Sequence, residues 1–241
     1  MTEWFEQWFG EEYLRLYPHR DDADAEAAVA LIEQALPLAG RRVLDLACGP
    51  GRHAAQLVRR GGRVTGFDLS FPLLARAQRR IGPAVALVRG DMRHLPFAPG
   101  SFDLIVNLFT SFGYFADDAL HAAVLRDVVR LLRPGGHFVL DYFNADAVRA
   151  ALVPREEKRT GSGQHVVIER QVTPDDRFVL KEMHLVHDGR SFVERVRLFA
   201  PAELEGLLTD AGLRVERRFG AYDGRPMGAD TPRVILVGAR S

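Results

Sequence analysis

The stretch DLACGPGRH, residues 45–53, begins within a short apolar run, VLDLA, and leads into an amphipathic segment. Its spacing Gly49-x-Gly51-x-x-Ala54 suits a loop at the end of a first strand, where glycines let a nucleotide approach the backbone closely. Two nucleotide classes use such loops. A dinucleotide would set its pyrophosphate on the positive end of the following helix. The residues here fit that poorly. Asp45 stands before the glycines, where a carboxylate repels a pyrophosphate and suits an ammonium group, and Pro50 removes an amide donor that a phosphate could use.

Outward from this loop, strand-like and helix-like runs alternate. Residues 22–36 carry Ala28, Leu31, Ile32, Ala35 and Leu36 at helical spacing, and Pro37 and Gly40 end the run. RVLDLA, RVTGFDLS, AVALVRGD, FDLIVNLF and GHFVLDYF read as five strands. GRHAAQLVRR, PLLARAQRR and ALHAAVLRDVVRLL read as the helices between them. This rhythm argues for a parallel sheet with helices on both faces. After residue 155 the rhythm changes. GQHVVIERQV, RFVLKEMHLV and SFVERVRLFA read as three antiparallel strands, joined by TPDD and by HDGR, in which Asp188-Gly189 is a hairpin signal. PAELEGLLTDAGL resumes as a helix, and RVERRFG and RVILVGAR supply two last strands. The expected organisation is one domain over 1–241, with a helical lid or cover over 1–36 and an inserted antiparallel β subdomain over 155–200.

Composition narrows the classes. The chain has 241 residues, 47% apolar, with 32 basic and 32 acidic side chains, so no net field draws it to nucleic acid or anionic lipid. One cysteine, Cys48, excludes an internal disulfide, no apolar run reaches the roughly 20 residues of a bilayer span, and the acidic, aromatic start does not resemble a signal peptide. A cytoplasmic protein with no membrane or nucleic-acid partner is expected. No set of residues has metal-ligand spacing; His184 and His187 fall on opposite faces of a strand.

Three carboxylates fall at three successive strand ends: Asp45, Asp68 and Asp91. Asp68 lies 17 residues beyond Gly51, where an acid can accept both hydroxyls of a ribose. Asp91 stands beside Met92, a pair suited to the amine and ring of adenine. One acid at a strand end is often a helix cap, but three in succession point to one shared ligand.

With these residues in view, the chain resembles the class I S-adenosylmethionine-dependent methyltransferases, on VLDLACGPGRH, VTGFDLS, GDMRHLPF, FDLIVNLFTSFGYF and LLRPGGHFVLD, about residues 41–141. The resemblance implies a Rossmann-like α/β fold, its seven-stranded mixed sheet in order 3-2-1-4-5-7-6 with strand 7 antiparallel. It also implies S-adenosyl-L-methionine contacts. Asp45 and the loop Ala47, Cys48, Gly49 and Gly51 would hold the methionine part. Asp68 would bind the ribose with Leu69 against the adenine, Asp91 and Met92 would meet the adenine edge, and Asn107 would lie near the sulfonium. Pro50 departs from the small polar residue frequent in the family.

The expected reaction is in-line methyl transfer to nitrogen or oxygen of a small molecule, for which a dedicated base is optional. His53 and Tyr114 are the candidate catalytic groups. Tyr17, Ser111, Phe112, Tyr114, Tyr142 and Tyr222 are candidates for the acceptor pocket, whereas Phe109 reads as core. Arg20 could pair with the methionine carboxylate. Trp4, Phe5, Trp8 and Phe9 form an apolar face expected to dock on the body, and the β meander could pair two subunits in a homodimer. A nicotinamide-dependent oxidoreductase and a non-catalytic S-adenosylmethionine-binding module are the competing readings.

Overall fold

The computed structural model describes residues 3–17, 22–160 and 163–241. Strands β1 (Arg42–Leu46), β2 (Arg63–Asp68), β3 (Ala86–Arg89), β4 (Phe102–Asn107) and β5 (Leu132–Phe143) are parallel. Strands β10 (Leu213–Phe219) and β11 (Arg233–Arg240) complete the sheet in the order β3-β2-β1-β4-β5-β11-β10. β11 runs antiparallel to both of its neighbours. This is the order and the reversed strand that the resemblance implies.

Apolar residues on alternate faces explain the layers. Val43, Leu104, Val106, Val139 and Val237 pack with helices α3 (Asp22–Ala35) and α4 (Arg52–Arg59). Their chain neighbours Leu44, Ile105, Phe138, Leu140 and Leu236 pack on the other face with α6 (Asp118–Leu131) and α8 (Pro201–Asp210). A strand buried on both faces needs such near-continuous apolar runs. Helix α5 (Phe71–Ile81) starts on Ser70, whose hydroxyl accepts the Leu73 N–H, and carries Pro72 in its first turn. The Pro134-Gly135-Gly136 turn lies inside β5 as a bulge: Phe102 faces Leu132, but Leu104 already faces His137.

The second sheet differs from the sequence reading. It has four antiparallel strands: β6 (Arg155–Arg159), β7 (His165–Val172), β8 (Phe178–Leu185) and β9 (Ser191–Arg197). The extra one, β6, is REEKR, an edge strand with no apolar alternation to announce it. Short helix α7 (Ala145–Ala150), capped by Asn144, was also not evident in the sequence. One face of the second sheet offers Val166, Ile168, Met183 and Leu185 to Trp8, Tyr13 and Leu16. These last belong to two short helices, α1 (Trp4–Trp8) and α2 (Glu11–Leu16). Sheet and helices thus hold the N-terminal segment against the carboxyl edge of the main sheet.

Candidate functional site

The carboxyl ends of β1, β2, β3 and β4 open into one cavity of about 440 Å³, within the range of small-ligand sites. Ala47, Cys48, Gly49 and Pro50 form its floor, with Asp68 and Leu69 from β2, Asp91 and Met92 from β3, and His53 from α4. Ser111 and Tyr114 stand on the side of β4. All of these except Pro50 are residues that the sequence selects. The roof is Phe5, Glu6, Phe9, Gly10 and Tyr13 of the N-terminal helices.

The glycine loop turns for a definable reason. Ala47, Gly49 and Gly51 have φ of 61°, 53° and 78°, all left-handed. A Cβ at Gly51 would also stand 2.6 Å from Ile81 Cδ1 and 2.9 Å from Ala77 Cβ, so this glycine brings α5 against the loop rather than facing the ligand. Asp68 ties the loop to β2: its Oδ2 accepts the Gly49 N–H at 2.8 Å and its Oδ1 the Ser70 N–H at 2.8 Å. Each carboxylate oxygen keeps a further lone pair. At the third strand end, Arg93 donates from its backbone and from its guanidinium to Asp91. Burial would raise the Asp91 carboxyl, but the Arg93 hydrogen bonds prevail and hold it below the usual carboxylate range.

Asp45 and Asn107 sit just behind the lining, both about 1% exposed. Asn107 Nδ2 donates to the Leu46 carbonyl at 3.0 Å, which leaves Oδ1 without a partner. Asp45 Oδ2 is likewise buried and unpartnered. Burial, and then the charge of Asp68, push the Asp45 carboxyl up to about 7. A buried carboxylate with one oxygen unpartnered is costly, and a cation brought beside it would relieve that cost. His53 is buried too. Burial and the charges of Arg52 and Arg233 push it down to about 3, so it stays neutral.

Several expected pocket residues lie elsewhere. Tyr142 is fully buried, and its hydroxyl donates to the Arg197 carbonyl, bracing β5 against the second sheet. Phe112 is core, packed on His121 and Phe199. The Tyr222 hydroxyl donates to Asp141 Oδ2 at 2.7 Å and does not reach the cavity. The Tyr17 hydroxyl meets Met183 Sδ at 3.3 Å and the Lys181 ammonium, on the second sheet. Arg20 falls outside the described residues.

Phe109 reverses the expectation of a core residue: it lines the cavity. Phe109 and Thr110 have φ of 59° and 61°, a conformation costing roughly 1–3 kcal/mol for each non-glycine residue. The turn aims the Phe109 ring at the site, with the Arg52 guanidinium 5.0 Å and that of Arg233 5.5 Å from the ring centroid. Neither Arg52 nor Tyr13 was marked by the sequence; each is an ordinary helix residue until the fold brings it to the rim.

Comparison with known proteins agrees with this geometry. A family model described as "Methyltransferase domain" matches residues 43–136. A dTDP-3-amino-3,4,6-trideoxy-alpha-D-glucopyranose N,N-dimethyltransferase from Streptomyces venezuelae is 30% identical over 217 residues, covering 87% of this chain and 90% of that protein. The chain therefore belongs to the class I S-adenosylmethionine-dependent methyltransferases. It is an enzyme, and its cofactor is S-adenosylmethionine. Among solved structures, an amino pentose methyltransferase from Micromonospora echinaspora, with S-adenosylmethionine bound, superposes with a TM-score of 0.70 at 26% identity, covering 96% of this chain and 97% of that one. The CcbJ methyltransferase from Streptomyces caelestis superposes with a TM-score of 0.82 over 98% of this chain and 99% of that one; at 23% identity it speaks for the fold alone. Among the described residues, no helix is long and apolar enough to cross a membrane.

Proposed function

We propose that this enzyme methylates the amino nitrogen of a small molecule, with an amino sugar as the acceptor class. One observation carries the reading: the dTDP-amino-sugar N,N-dimethyltransferase aligns over 87% of this chain. The alignment therefore extends well beyond residues 43–136, the part that the family model matches.

The residues at the cavity fit S-adenosylmethionine. The orphaned oxygen of Asp45 suits a positively charged amino acid end, and the left-handed turn of Ala47 to Gly51 leaves room beside Gly49, where a Cβ would meet nothing within 4 Å. In this reading Asp68 accepts the ribose hydroxyls, Leu69 and Met92 sandwich the adenine, and Asp91 takes its amine. The cofactor supplies a methyl group on a positively charged sulfur. The chain does the rest. Its roof of Phe5, Phe9 and Tyr13 excludes water, and Tyr114 and Phe109 present aromatic faces to the acceptor. Holding nucleophile and methyl in line can supply about 7–11 kcal/mol at its upper range.

An amine attacks as the free base, so its proton must leave. His53 is a poor acceptor for it, because its pKa is depressed to about 3. Loss to solvent, before binding or after transfer, meets the need, and Tyr114 and His53 then act by shape and polarity.

The test is a transfer assay with labelled methyl donor on dTDP-3-amino-3,4,6-trideoxyglucose, its free sugar, and the 3-hydroxyl analogue. Transfer to either amine, with none to the hydroxyl analogue, is expected. Methylation of the hydroxyl analogue, or uptake of the donor with no transfer to any amine, overturns the acceptor reading.

A further inference from the structure

Asp141 lies on β5, about 1% exposed and outside the cavity, yet its contacts converge on the cavity wall. Its Oδ2 accepts the Phe109 N–H at 2.9 Å, and its backbone carbonyl accepts the Thr110 N–H at 3.0 Å. These are the two residues after β4 that hold left-handed backbone. Arg233, from β11, donates through Nε to Asp141 Oδ1 at 2.7 Å and through Nη2 to Thr110 Oγ1 at 3.3 Å. Tyr222 donates its hydroxyl to Asp141 Oδ2 at 2.7 Å. Thr110 Oγ1 also accepts the Phe143 N–H at 3.1 Å. Side chains and backbone from three separate stretches thus fix one two-residue turn.

The location gives that turn a purpose. In the sheet order, β2 and β3 lie on one side of β1 and β4 on the other. The acids read as holding adenosine, Asp68 and Asp91, stand at the ends of β2 and β3. Phe109, Ser111 and Tyr114 stand across the glycine loop from them, on the β4 side of the cavity. A wall so placed borders the transferred methyl and its acceptor, not the nucleoside.

We infer that Asp141 is a positioning residue for methyl transfer: by clamping Phe109 and Thr110 in a left-handed turn, it shapes the acceptor wall of the cavity. Arg233 and Tyr222 fix Asp141 in turn. This inference rests on the reading above for the orientation of the cofactor and for the identity of the amine.

The experiment compares the full-length protein with its Asp141→Asn and Asp141→Ala variants. Far-UV circular dichroism establishes that each is folded. S-adenosylhomocysteine affinity is measured by calorimetry, amide exchange over residues 108–113 with S-adenosylhomocysteine bound, and turnover with dTDP-3-amino-3,4,6-trideoxyglucose. For Asp141→Ala we expect S-adenosylhomocysteine affinity within about threefold of wild type, at least tenfold faster exchange, and kcat reduced at least tenfold with a smaller change in KM. Asp141→Asn keeps an acceptor for the Phe109 N–H and falls between. Unchanged exchange in Asp141→Ala, or affinity for S-adenosylhomocysteine lost in step with protection, overturns the inference. If the wild-type enzyme leaves the amino sugar unmethylated, the acceptor reading fails alone, because the affinity and exchange measurements need no acceptor.

Discussion

Arg93 donates through Nε to Asp91 Oδ2 at 2.9 Å, while its guanidinium carbon stands 5.8 Å from the ring centroid of Phe5. One side chain thus touches both the carboxylate at the third strand end and the helix that roofs the cavity. Glu3 and Glu6 approach the same guanidinium at 3.9 Å.

That bridge predicts slower ligand escape with Arg93 than without it. Arg93→Ala should speed S-adenosylhomocysteine dissociation about fivefold. The chain's two tryptophans, Trp4 and Trp8, both lie in α1, so stopped-flow tryptophan fluorescence reads the roof directly. An unchanged off-rate would show that the roof is held by its apolar contacts alone.

Asp45 should trade stability for binding. Burial first, and Asp68 second, raise its carboxyl from 3.8 to about 7. A raised carboxyl contributes stability that is full below pH 3.8 and lost as the pH climbs through 7, at about 1.4 kcal/mol for each pH unit between the two values. Asp45→Asn should therefore raise the melting temperature of the ligand-free protein at pH 8 and change it much less at pH 5. It should also weaken S-adenosylmethionine at least tenfold at pH 8. Paired thermal melts and calorimetry at the two pH values check both halves.

The two glycines of the loop should respond differently. Gly49→Ala meets no atom within 4 Å and bears only its φ of 53°, a cost of roughly 1–2 kcal/mol. Gly51→Ala adds contact with Ile81 and Ala77 to a φ of 78°, and such overpacking adds roughly 1–3 kcal/mol. Urea denaturation should rank Gly51→Ala below Gly49→Ala in stability. Cofactor affinity should be the quantity that Gly49→Ala changes.

Acid should loosen the fold through two buried imidazoles. Burial is the largest cause lowering both His53, to about 3, and His121, to about 4. A lowered histidine contributes stability that is full above its ordinary 6.5 and lost as the pH falls towards those values. His121→Gln, which can still accept the Phe115 N–H that His121 Nε2 accepts at 3.3 Å, should flatten the fall in urea midpoint between pH 6.5 and 4.5. A slope equal to that of wild type would contradict the assignment.

How much of this was legible beforehand follows from what each residue type signals. The β-α rhythm and the three acids declare themselves, because apolar runs and glycine breaks record burial locally. The β4 side of the cavity did so only through Ser111 and Tyr114. Tyr142 and Asp141 are adjacent on β5, and neighbouring strand residues point to opposite faces. The sequence favours the aromatic one, whereas the fold buries it and turns Asp141 towards Phe109. Phe109 reads as core because nothing in its type reports a positive φ, and the groups that hold it there come from residues 141, 222 and 233. Strand β6 escaped notice for another reason: an exposed edge needs charge rather than alternation.

The position of β11 between β5 and β10 constrains how the molecule assembles on the ribosome. β10 is synthesised first but has no partner until β11 emerges and pairs with β5. Until then the outer edge of β5 stands open, and Leu204 and Leu208 of α8 lack the Leu236 side chain that completes their cluster. Nascent chains stalled before Arg233 should therefore recruit chaperones, and this half of the sheet should close last.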